Sequence, residues 1–127
     1  MHAAYVRVWR YDATRDAAPK VAGPADLETR RAVLVAAPDE NSSPVAWMAI
    51  DDYDANEGTL LFGVPPGDDF REYVRALLSV AVVEAPTLGF ASLLAHWRAG
   101  WASAESVLEE LGFERAAPGI WRRRLSA

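Results

Sequence analysis

The sequence predicts a single α/β domain: a mixed, mostly antiparallel sheet with flanking helices. Three observations carry this. Apolar runs at 31–37, 45–50 and 59–64 follow one another across short turn-forming connections, the pattern of an antiparallel meander. Residues 68–84 repeat apolar side chains at helical spacing, and a further apolar run at 89–97 follows. A strand, helix and strand of this length bring the two strands parallel through a right-handed crossover. The stretch 103–125 then reads as a helix, a glycine stop and a last strand.

The composition bounds the function. A chain of 127 residues is enough for one domain with a modest core. With 51% hydrophobic and 24% charged residues it is expected to be globular. Its net charge of −5 argues against general nucleic-acid binding, and Arg122-Arg123-Arg124 read as a solvated strand end. There is no cysteine, which removes disulfides, thiol nucleophiles and cysteine metal sites. The two histidines, His2 and His96, are far apart in sequence, so no metal is expected. No apolar run reaches the ~18 residues that cross a bilayer, and no signal-peptide pattern precedes Tyr5. The expectation is a cytoplasmic protein with no membrane partner, and its many Ala, Arg and Val residues fit a high-GC bacterial source.

In chain order, 5–11 (YVRVWRY) is a strand with Tyr5, Arg7, Trp9 and Tyr11 on one side and Val6 and Val8 on the other. Residues 12–24 hold Pro19 and Pro24 and read as loop, and 25–29 as one helical turn. The run 31–37 (RAVLVAA) lacks alternation, as expected of a strand buried on both faces. PDENSSP (38–44) and DDYDANEG (51–58) read as turns between the meander strands.

PPGDD (65–69) breaks the sheet. In the helix 68–84, Phe70, Tyr73, Val74, Leu77, Leu78 and Ala81 share a face, with Arg71, Glu72, Arg75 and Ser79 elsewhere. Val80, Val82 and Val83 widen the apolar surface and predict a deeply buried end, which Pro86 stops. The strand 89–97 and a loop at 98–102 follow. In the last stretch, Ala104, Val107, Leu108 and Leu111 line one helix face, with Ser103 as N-cap. Gly112 suits the C′ position and Phe113 packs back on Leu108. After the Pro118-Gly119 turn, Trp121 and Leu125 share one strand face, and Ile120, Arg122 and Arg124 the other.

Few residues stand out for chemistry. His96 closes the strand 89–97; an imidazole there is either structural or a general base near neutral pH. Asp51, Asp52, Asp54 and Glu57 lack calcium-loop spacing and read as a solvated turn. Ser92 is four residues from His96 along a strand, too far to form a nucleophile pair. Of five tryptophans, Trp47 and Trp121 are expected in the core. Trp9, Trp97 and Trp101 are candidates for core packing, for a ligand pocket or for a homodimer patch.

The order of elements, with LEELGFERA followed by WRRRL, resembles the GCN5-related N-acetyltransferase superfamily over roughly residues 31–125. The resemblance implies a sheet splayed in the middle, acetyl-CoA entering the splay, and pyrophosphate on backbone N–H groups at the start of the long helix. On that alignment Gly67 matches the phosphate-binding approach, and Arg71 or Arg75 reaches a phosphate from the next turn. Asp68 and Asp69 depart from it, because they cap the helix themselves and repel pyrophosphate.

Leu61 stands where many relatives carry a glutamate base, Leu108 where many carry a tyrosine acid, and Trp101 where an asparagine is common. Relatives also place two helices between their first and second strands, whereas here only residues 12–30 are available. The resemblance therefore implies shortened or absent acceptor-side helices, with the acceptor side open or completed by a second subunit. Two functions follow. One is an acyl-CoA-dependent N-acetyltransferase acting on a small-molecule or protein amine, with His96 as base. The other is a degenerate relative that binds a ligand or protein, or catalyses another reaction.

Overall fold

A computed structural model describes residues 6–12, 14, 31–39 and 41–125. The expected loop and helical turn at 12–30, and with them the question of shortened acceptor-side helices, lie almost wholly outside the described residues.

The meander forms as the apolar runs require. β1 (Arg7–Arg10), β2 (Ala32–Ala37), β3 (Ala46–Asp54) and β4 (Glu57–Gly63) pair antiparallel in sequence order. Every residue of β2 is buried, as its unalternating sequence predicts. Its connection to β3 is organised by Asp39, whose Oδ1 accepts the Asn41 N–H and the Ser42 hydroxyl, each at 2.9 Å. The acidic stretch 51–58 is not a turn. β3 runs on through it, with Asp51 opposite Thr59 and Asp52 opposite Gly58, and only Ala55-Asn56 turns the chain. Its polar composition reflects a strand end projecting into solvent.

α1 (Phe70–Glu84) crosses back over one face, and β5 (Ser92–His96) joins β4 in parallel. Phe70, Tyr73, Val74, Leu77, Leu78 and Ala81 are its buried residues, and they meet Leu34, Met48, Ile50 and Leu60 of the sheet in the main core. Each fully buried leucine there contributes ~1.5–3 kcal/mol of transfer free energy. Two expectations about α1 are corrected. Asp69 is the N-cap residue, but its carboxylate makes no cap bond; its carbonyl accepts the Tyr73 N–H at 3.0 Å instead. The helix end is not deeply buried: Val80 and Val82 are partly covered and Val83 is 69% exposed, because Ala81 is the residue that faces the sheet. A 3-10 turn with Pro86 follows (Ala85–Leu88), so β5 starts later than the apolar run predicts.

Beyond β5 the expected loop is a 3-10 turn (Ala99–Ala104), leading into α2 (Glu105–Glu110). Ser103 lies inside that turn, and Ala104, not Ser103, is the N-cap. The helix stop is the one expected. Gly112 sits at φ 89°, its N–H reaches the Glu109 carbonyl at 3.1 Å, and the Phe113 N–H reaches the Leu108 carbonyl at 2.9 Å, the paired bonds of a Schellman stop. The sequence did not suggest β6 (Glu114–Ala117), whose residues ERAA are largely exposed and carry no apolar alternation. It forms a hairpin with β7 (Ile120–Arg124), and β7 pairs with β5. The seven-stranded sheet thus has the order β1-β2-β3-β4-β5-β7-β6. On the face away from α1, Val33, Val35, Trp47 and Ala49 make a second small cluster with Trp9, Tyr11 and Leu61. No helix among the described residues is long and apolar enough to cross a membrane.

Candidate functional site

The one parallel pairing in the sheet is also where it opens. β4 and β5 stay in register from Glu57 opposite Ser92 to Leu60 opposite Ala95, and no further. β4 continues to Gly63 while still paired with β3, and His96 remains opposite Ile120 of β7. Each strand keeps its outer neighbour while the inner edges part. Past Leu60 the inner edge of β4 has no ladder partner, which leaves backbone groups facing a gap.

The gap holds a cavity of about 760 Å³ lined by Trp47, Leu60, Leu61, Phe62, Gly63, Val64, His96, Trp97, Arg98, Trp101, Pro118, Gly119 and Ile120. Alternation along β4 divides its walls. Leu60, Phe62 and Val64 face the α1 side, while Leu61 stands on the opposite side with Trp47. On the α1 side, Phe62 lies 4.4 Å from Trp101 and 5.2 Å from Trp97, centroid to centroid, and the two tryptophans meet edge to face at 5.5 Å. The Trp97 indole N–H donates to the Trp101 carbonyl at 2.8 Å. The hairpin turn closes another side. The Trp97 N–H donates to the Gly119 carbonyl at 2.7 Å, and a Cβ on Gly119 (φ 73°) would come within 3.2 Å of the Trp97 carbonyl. Only glycine fits both that backbone and that approach.

The polar inventory is short. His96 is exposed at the end of β5, and Arg98 lies over the Trp101 ring at 5.1 Å. Among the described residues no Asp or Glu lines the cavity. Trp47 is buried in its wall, with an Nε1–H that has no hydrogen-bond partner.

The expected site residues divide into three groups. His96, Trp97 and Trp101 come together at the cavity, joined by Phe62, Trp47, Arg98 and Ile120, which sequence reading did not single out for it. Trp9 sits apart: it packs in the second cluster with the Arg7 guanidinium 4.3 Å over its ring. Gly67, at φ 134°, precedes α1 with open space where a Cβ would stand, and neither it nor the rest of 65–70 lines the cavity. Arg71 and Arg75 turn toward α2. Arg75 bonds both Glu110 oxygens, at 3.1 and 3.2 Å, and Arg71 donates to the Ser106 hydroxyl and lies 3.6 Å from Glu110. That pairing holds the Glu110 carboxyl below the ordinary glutamate value, with the Arg75 hydrogen bond as the main cause. Leu108 is fully buried in the main core and does not line the cavity; Leu61 does.

No protein-family model matches the sequence, and no curated protein matches it. Solved structures do. A candidate phosphinothricin N-acetyltransferase superposes with a TM-score of 0.65 at 21% identity, over 80% of this chain and 74% of that one. A candidate acetyltransferase from Salmonella typhimurium, solved with its cofactor acetyl-CoA, gives 0.64 at 20% identity over 76% and 65%. The ribosomal-protein-S18-alanine N-acetyltransferase of Escherichia coli gives 0.59 at 26% identity over 75% and 69%. With this sheet order, this splay and these neighbours, the chain has the fold of the GCN5-related N-acetyltransferase superfamily.

Proposed function

We propose that the chain is an acyl-CoA-dependent N-acetyltransferase whose coenzyme arm lies in the gap between β4 and β5. The observation that carries this reading is the unpaired inner edge of β4 beyond Leu60, set in a cavity with apolar walls. A strand edge offers alternating donors and acceptors to an extended chain that bears amide groups, and the coenzyme's arm is such a chain. The helix start is a poorer fit. Gly67 leaves room for a phosphate, but Asp68 and Asp69 stand beside it, and Arg71 and Arg75 are held by Glu110. We propose Gly67, with Arg71 and Arg75 once released from Glu110, as the phosphate contacts.

Acetyl-CoA would supply a thioester carbon open to attack by an amine. The new C–N bond replaces the C–S bond, and the thiol leaves as thiolate to take a proton from solvent. Among the described residues His96 is the one side-chain base on the cavity wall, and it receives the amine proton. The acceptor then approaches from the face that holds Trp47, Leu61 and His96. The short segment at 12–30 supports an open acceptor side there.

A second reading has its own observation: among the described residues no carboxylate lines the cavity, and Leu61 takes the position on the β4 wall where a glutamate base is common among relatives. In that reading the cavity binds a ligand without transfer. Calorimetric titration with acetyl-CoA and CoA separates the two. Micromolar binding with acetyl transfer to an amine supports the transferase, and no binding at millimolar ligand removes it. In an active protein, His96→Gln should lower kcat ~10²–10⁴-fold while leaving coenzyme affinity unchanged.

A further inference from the structure

Arg98 differs from the arginines around it. Arg10, Arg31, Arg75, Arg115 and Arg122 each hold a carboxylate oxygen within 3.2 Å, and Arg71 holds one at 3.6 Å. Arg98 has no carboxylate partner among the described residues. Its contact is the Trp101 ring, and it stands on the wall of the splay cavity, where no acidic side chain among the described residues competes for it. Arg123 and Arg124 also have no carboxylate partner among the described residues, but Arg123 donates to the Leu111 and Arg124 carbonyls and neither lines the splay cavity.

We propose that Arg98 receives an anionic group of the acceptor, so that the acceptor is an amine bearing its own carboxylate and an apolar side group, as an amino acid does. The chemistry of the walls supports each part. A guanidinium with one face on an aromatic ring keeps its edge N–H donors free for the two oxygens of a carboxylate. Trp47, Leu61 and Ile120, on the face from which the acceptor enters, offer apolar surface to a side group. A polycationic acceptor, such as a polyamine, finds no Asp or Glu among the described residues of these walls and is repelled by Arg98.

The proposal rests on the gap being the transfer site, but it is tested by binding alone. The probes are N-acetyl-L-phenylalanine and N-acetylphenethylamine, which differ only in the carboxylate, titrated calorimetrically into the full chain. The expected result is at least about five-fold tighter binding of the carboxylate-bearing probe, in the range of a partly exposed charge-assisted bond. Arg98→Gln should abolish that preference, and Arg98→Lys should retain part of it. Equal affinity for the two probes, binding of neither at millimolar concentration, or a preference that survives Arg98→Gln overturns the proposal. CoA is titrated into the same variants. If Arg98→Gln weakens CoA binding about five-fold and no probe preference exists, the guanidinium serves a coenzyme phosphate and the proposal is wrong. If the preference holds but no acetyl transfer occurs to phenylalanine or any other amine, the transferase reading fails and the Arg98 site stands.

Discussion

Trp97 donates its indole N–H to the Trp101 carbonyl at 2.8 Å, so the turn that leaves β5 is tied to the side chain that ends it. The bonded carbonyl belongs to Trp101, whose φ of −105° and ψ of 15° interrupt the helical geometry of the 3-10 turn.

Trp97→Phe keeps a ring against Phe62 but removes the donor. It should destabilise the protein by about 1–2 kcal/mol, through the lost bond and a buried indole's worth of volume only partly replaced. Trp97→Ala should cost about 3–5 kcal/mol. Urea denaturation of wild type and the two variants checks the order: a Trp97→Phe protein as stable as wild type would show that the indole N–H contributes nothing, and equal losses in the two variants that the ring does not.

Gly112 ends α2 at φ 89°, and a Cβ there would lie 3.2 Å from Arg123 Nε, which itself donates to the Leu111 carbonyl at 2.6 Å. Gly112→Ala should therefore cost about 1–3 kcal/mol from backbone strain alone. Gly112→Asn should cost less, since asparagine tolerates the left-handed region. Thermal melts that rank alanine above asparagine would contradict this account of the stop.

Glu57 joins β4, β5 and β7: its Oε2 accepts the Ser92 hydroxyl and Arg122 Nε, each at 2.8 Å. Burial pushes its carboxyl up, but the bonds from Arg122 and Ser92 outweigh that and leave it below the ordinary glutamate range. A depressed folded-state value means stability that is present above the unfolded glutamate range and lost as pH falls through the folded value. Glu57→Gln should thus be less stable than wild type at pH 7, by about 1 kcal/mol given the exposed Arg122. The difference should shrink toward zero in acid. Denaturation curves at pH 7 and below pH 4 measure it, and a constant difference would exclude this linkage.

Glu110 holds Arg75 and lies near Arg71. Glu110→Ala releases both guanidiniums from Glu110, leaving Arg75 with Glu72 at 2.9 Å and Arg71 with the Ser106 hydroxyl. If they are phosphate contacts, the variant should bind CoA several-fold more tightly, with a steeper loss of affinity as salt rises. Titration at two ionic strengths reads this, and unchanged affinity would assign the pair to bracing α1 against α2.

Much of the fold was legible because its determinants are local. The Leu108-to-Phe113 stop follows from one glycine and the chain directions around it. The burial of β2 follows from a run without alternation, and the parallel placement of β5 from the length and hand of the crossover. The local view failed where composition misleads about context. Asp51 to Asp54 look like a turn yet extend a strand, since pairing with β4 continues into solvent. Glu114 to Ala117 carry no pattern, because an exposed edge strand needs none.

The site was legible only in part. His96, Trp97 and Trp101 could be named from the sequence, but nothing local joins Phe62 to them, seats Trp9 in another cluster, or leaves Arg98 without a carboxylate while Arg71 and Arg75 share one. Periodicity and the glycine stop depend on neighbours along the chain, so the sequence by itself determined the buried strands, the long helix and their faces. The cavity depends on where the pairing of β4 and β5 stops and on which distant side chains then meet across the gap, and that only the tertiary structure decided.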